Sequence, residues 1–173
     1  HYGSVRDLTQ VYVQDRGSNL YRRSLYTLWK RTSPPPSMMA FDAPNRELCM
    51  MSRETTNTPL QALTLLNDPQ FVEASRVFAE RLLNEMPDVD GESILRRAFE
   101  IVTSRLPSEI ELGELVAAWE EQCSYFESHR SEAKALLRVG ESSSDENLDV
   151  VQHAALAVIA NLVFNLSEAI TKG

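Results

Sequence analysis

The stretch RETTNTPLQALTLLN, Arg53–Asn67, followed at once by Asp68-Pro69, holds one helix start, one short helix and a second helix start with almost no spare residues. Thr58 can accept from the third helical amide, Pro59 has its φ preset for the first helical position, and Gln61 completes a capping box. Leu60, Leu63, Thr64 and Leu66 carry the helix for two turns, and Asn67 stops it. Asp68-Pro69 then repeats the device, which predicts a corner between two helices without a linker.

Outward toward the C-terminus the pattern stays helical. From Pro69 to about Met86, Phe71, Ser75, Phe78 and Leu82 fall on one stripe with Val72, Ala79, Leu83 and Met86 beside it, a width that belongs in a core. A loop at Pro87–Gly91 precedes a helix over about 92–104 with Ile94, Ala98, Ile101 and Val102 inward. Ser108 and Glu111 form another capping box, opening a helix over about 109–129 that turns Leu112, Leu115, Val116, Trp119, Cys123 and Phe126 inward. Ser131 is read as the cap of a further helix that ends near Gly140, with that glycine as its C-cap. Glu141–Asn147 reads as a polar, mobile linker. The last helix, about 148–166, is the least polar and is expected to be the most buried, with Ala154, Ala155, Ala157 and Ala160 allowing close approach. Ser167–Gly173 is read as a tail.

Toward the N-terminus order is harder to read. Gln10–Gln14 alternates enough for a short strand, within an extended arm over residues 1–18. Asn19 can cap a helix over about 20–31 whose Tyr21, Leu25, Leu28 and Trp29 share one face, with Lys30 and Arg31 favourably placed in its last turn. Pro34, Pro35 and Pro36 enforce extended polyproline geometry. Residues 32–57 are read as one long ordered loop anchored by Met38, Phe41, Leu48, Cys49 and Met50, with a short strand at Leu48–Met51. The expected fold is all-α: a single helical domain over residues 1–173, an irregular bundle of six to seven helices with a long proline-rich ordered loop near the N-terminus.

Composition narrows the function classes. Residues 1–60 carry a net charge of +3 and residues 61–173 one of −11, which argues against a basic surface for nucleic acid. No apolar run has the length of a membrane span, and the opening residues resemble no signal peptide. The missing initiating Met is read as a fragment or a processed chain. Cys49 and Cys123 belong to no CxxC or CxxCH pattern, and one disulfide or two free thiols both remain open. His1, His129 and His153 are isolated, so no metal site is expected, and His153 is read as a satisfied core or boundary residue. No phosphate-cradling glycine loop or nucleophile elbow occurs.

What remains is the polar cluster Asp42, Asn45, Arg46, Glu47, Arg53, Glu54, Thr55, Thr56 and Asn57. Such residues can bind an anionic or sugar ligand, or pin a long loop whose backbone groups need partners, and pinning is favoured. Tyr21, Tyr26, Trp29 and Phe41 could stack on sugar beside Arg22 or Arg31, but such a stripe is more often core. The candidate ligand or interdomain contacts are Arg22, Arg31, Asp42, Arg46, Glu47, Arg53 and Asn57; no catalytic residue is assigned.

LYRRSLYTLWKRTSPPPSMMAFDAPNRELC, TNTPLQALTLLNDPQFVEASR and the closing NLSEAIT resemble a C-terminal domain of unknown function in large planctomycete proteins of the cytochrome-c-linked PSCyt type. The likeness runs from about Val13 to Ile170. Thr55 stands where that family often has a basic residue. The resemblance implies an extracytoplasmic or periplasmic setting and upstream domains of the same protein as partners. Haem, if any, would belong to an upstream domain, so no cofactor is expected in this chain. The function expected is a non-catalytic helical scaffold or interaction module. The alternative is a carbohydrate-active site, shared with an upstream region, to which Asp42, Arg46, Glu47 and Arg53 contribute toward a polysaccharide. A third reading is electron-transfer docking through the basic end of the first helix.

Overall fold

The computed structural model describes residues 14–27, 29, 34–44, 49, 51, 56–87 and 89–170. Among these the structure is helical and contains no strand. The expected strand at residues 10–14 falls almost wholly outside the described residues, and that at Leu48–Met51 does so in part. The chain divides into two compact units, His1–Gln61 and Ala62–Gly173.

In the first unit the expected helix over 20–31 does not form across its described part. Two 3-10 turns stand there instead, Gly17–Asn19 and Ser24–Tyr26. The physical reason is burial: Tyr21 is 56% and Leu25 73% exposed, so the first half of the apolar stripe that would stabilise a short helix is not covered. The triple proline also departs from expectation. Pro35 is extended, but Pro36 opens helix α1, Pro36–Ala40, as a first-position proline can. Helix α1 ends in paired backbone bonds, Asp42 N–H to Met39 O and Ala43 N–H to Met38 O, with Asp42 left-handed at φ 54°.

Helix α2, Pro59–Asn67, begins with both halves of the expected capping box. Thr58 N–H donates to Gln61 Oε1 at 3.0 Å, and Gln61 N–H donates to Thr58 Oγ1 at 3.3 Å. Asp68 accepts from Gln70 N–H and starts α3, Pro69–Glu85, directly after α2.

The second unit is assembled around α7, Val150–Phe164, capped by Asp149 through the amides of Val151 and Gln152. Ten of its residues are buried, among them all four expected alanines. Against it pack α3, α4 (Gly91–Thr103), α5 (Glu109–Ser128) and α6 (Arg130–Leu136). One cluster joins Leu82, Leu95, Phe99, Leu112, Leu156 and Ile159; a second joins Phe126, Leu137, Val151 and Ala155. Each leucine, isoleucine, valine or phenylalanine among them contributes about 1.5–3 kcal/mol on burial. The inward face of α4 is centred on Ile94, Leu95, Ala98 and Phe99; Ile101 and Val102 lie at its margin, a shift of the expected stripe. Gly91 lets α4 meet α5 closely, because a Cβ there would lie 2.1 Å from the Trp119 ring.

Three boundaries differ from the sequence reading. Helix α6 starts one residue before Ser131 because His129 O accepts from Glu132 and Ala133, and it ends at Leu136, short of Gly140. The tail contributes α8, Ser167–Ile170. The asparagines that interrupt the apolar run have a structural use: Asn161 and Asn165 donate to Leu65 O and Ala62 O, holding the end of α2 against α7.

Candidate functional site

The cluster predicted around Asp42 is partly in view. Asp42 Oδ2 accepts from Thr56 N–H at 2.9 Å, Thr56 Oγ1–H at 2.6 Å and Gln61 Nε2 at 3.2 Å. Gln61 Nε2 also donates to Thr56 Oγ1, and Gln61 is 1% exposed. One carboxylate and one amide thus fix a turn, a loop end and a helix start together. Asn57 is exposed beside this node. Arg31, Arg46, Glu47 and Arg53 lie outside the described residues.

Arg22 lies in the segment Arg16–Tyr26. Its turns are closed by Leu20 N–H on Gly17 O, and Tyr26 N–H on Arg23 O at 2.9 Å. Arg16, Arg22 and Arg23 are exposed, and so are Tyr21, Leu25 and Tyr26, so these aromatics are surface rather than core. Three basic groups and three large apolar side chains therefore share one short exposed stretch.

The second unit holds a buried ionic network that the sequence reading passed over. Glu73 and Arg76 are buried on α3, one helical turn apart. Glu73 Oε1 accepts from the amides of Glu141 and Ser142 at 3.1 and 2.6 Å. Arg76 donates through Nη2 to Ser142 O and Oγ and through Nη1 to Glu80, whose carboxylate also accepts from Asp145 N–H. The segment expected as a mobile linker is therefore an ordered loop whose amides are fastened to α3. Gly140, at φ 99°, belongs to this seat and not to a helix end: a Cβ there would lie 2.3 Å from the Glu73 carboxyl carbon. The only signal in the sequence was the pair of charges at positions 73 and 76 within an otherwise inward stripe.

His153, on α7, faces the same place. It is 1% exposed, and its Nε2 lies 3.1 Å from Arg76 O. A carbonyl only accepts, so the Nε2 proton is on the ring. Burial pushes its pKa below the ordinary histidine value. This is the satisfied core histidine expected from its apolar helix.

At the other end of the unit, Arg105 forks onto two carboxylates: Glu111 at 2.6 and 2.9 Å, and Glu168 of α8 at 2.8 and 2.9 Å. Glu111 also completes the capping box with Ser108. Its hydrogen bonds from Arg105 and Ser108 lower its pKa to about 2, and Arg105 lowers that of Glu168. Cys49 is exposed and Cys123 half-buried, and both are free thiols. Among the described residues no group of three or more His, Cys, Asp or Glu is placed to hold a metal ion, and no helix is long and apolar enough to cross a membrane.

A family model described as PSD1, protein of unknown function (DUF1553), matches residues 3–119. No curated protein and no solved structure matches the chain.

Proposed function

We propose, for a chain that belongs to the PSD1 family of proteins of unknown function, that it is a non-catalytic helical scaffold which docks other protein domains. The observation that carries this reading is the exposed stretch Arg16–Tyr26, which sets Tyr21, Leu25 and Tyr26 among three arginines. Large apolar and aromatic side chains beside arginine are the composition of interface anchors. The polar groups Asp42 in the first unit and Glu73, Arg76 and Arg105 in the second are engaged in fixing the local backbone or one another. The resemblance adds the setting: an exported, multidomain polypeptide outside the cytoplasm, with a haem-bearing domain upstream as the candidate partner.

Hydrogen exchange tests this on the chain alone and mixed with the adjoining domains of its parent polypeptide, expressed separately. Slowed exchange over residues 16–26 in the mixture is the expected result. Unchanged exchange throughout, with the mixture releasing sugar from a polysaccharide and Asp42→Asn abolishing that release, would instead establish the shared carbohydrate-active site.

A further inference from the structure

Among the described residues the arginines that hold no glutamate are Arg130 and Arg138, eight positions apart in the second unit, and Arg16, Arg22 and Arg23, close together in the first. Arg76, Arg81, Arg96, Arg97 and Arg105 each hold a glutamate within the second unit. Arg16, Arg22 and Arg23 are exposed, and no carboxylate among the described residues pairs with them. Like charges so close in sequence repel one another, and carboxylates brought by a partner relieve that repulsion while using the planar fork of each guanidinium. The turn closed by Tyr26 N–H on Arg23 O keeps Arg23 within one turn of Tyr26, with Leu25 between them in sequence. Leu25 is 73% and Tyr26 69% exposed, so uncovered apolar surface lies beside these arginines in the chain.

Resting on the docking reading above, we propose that Arg16–Tyr26 seats an acidic protein segment with an apolar centre. Its carboxylates pair with Arg22 and Arg23, and its apolar side chain covers Leu25 and Tyr26. The aliphatic residue decides between a protein and an acidic polysaccharide. Sugar rings stack on flat aromatic faces such as that of the exposed Tyr26, but a branched side chain at position 25 offers no such face. Against a protein the same side chain is buried with favourable loss of apolar surface.

The test titrates the full chain with three probes: a random copolymer of glutamate and tyrosine, poly-L-glutamate and polygalacturonate. The copolymer is expected to bind at least about tenfold more tightly than poly-L-glutamate, because only it supplies an apolar contact. Added salt should weaken that binding. Combining Arg22→Glu with Arg23→Glu should weaken it by about tenfold or more, and Arg22→Lys with Arg23→Lys by less, since charge survives without the fork. Leu25→Ser should weaken the copolymer alone. These positions are exposed, and circular dichroism confirms that each variant is folded. No binding of the copolymer overturns the proposal. So does polygalacturonate binding as tightly, with Leu25→Ser without effect, which would make this a site for an acidic sugar. Protection of residues 16–26 by the adjoining domains that persists in the charge-reversed variant would leave docking standing and remove the acidic partner.

Discussion

Gly140 and Gly113 are both exposed glycines, yet their substitutions have opposite expected signs. At Gly140 the backbone is left-handed and the missing Cβ makes room for the Glu73 carboxylate. Gly140→Ala is therefore expected to cost about 2 kcal/mol or more in urea unfolding, from strain and from displacing a buried acceptor. Gly113 lies inside α5 with nothing within 4 Å of its missing Cβ. Gly113→Ala should raise stability by about 0.5–1 kcal/mol in the same measurement. Arg76 has no exposure, so Arg76→Met leaves Glu80 and the Ser142 acceptors without their donor. A loss of about 3 kcal/mol is expected. His153 supplies a pH signature. Its folded pKa is below the ordinary 6.5, so the unfolded chain binds more protons as pH falls through that value. The melting temperature should therefore decline as pH drops below about 6.5, and His153→Gln should flatten that decline.

At the scale of elements, helix starts were the most legible feature. Thr58–Gln61, Asp68–Pro69 and Ser108–Glu111 each act through residues a few positions apart, and each is formed as read. The helix expected over 20–31 shows the limit of such reading. Its periodicity is real, but periodicity stabilises a short helix only when another element covers the apolar face. The α6 start was misplaced because His129, stacked on Tyr125 with ring centroids 4.3 Å apart, takes the capping position with its carbonyl. The clasp of Arg105 on Glu111 and Glu168 gives an element-scale prediction. Both carboxylates have folded pKa values below 4.5, so their contribution is complete above that pH and is lost as pH falls toward about 2. Amide exchange in α8 should accelerate first in that window, and Glu168→Gln should make it fast at neutral pH as well.

Across the second unit, α7 is the element on which the other helices converge, and its alanines set how near they come. Ala157 is 2% exposed within the larger core cluster, so Ala157→Leu is expected to cost about 1–3 kcal/mol by overpacking, read as a lower urea midpoint. The sequence by itself determined the helical class, the corner at Asn67–Pro69 and the burial of the last long helix. Those features depend on capping side chains and apolar spacing within one segment. Only the tertiary structure decided that Glu73 and Arg76 are buried, that Gly140 closes on a carboxylate 67 positions away, and that Tyr21, Leu25 and Tyr26 stay on the surface. A charge is buried, or an apolar face uncovered, according to which distant backbone groups arrive beside it, and local spacing carries no record of that.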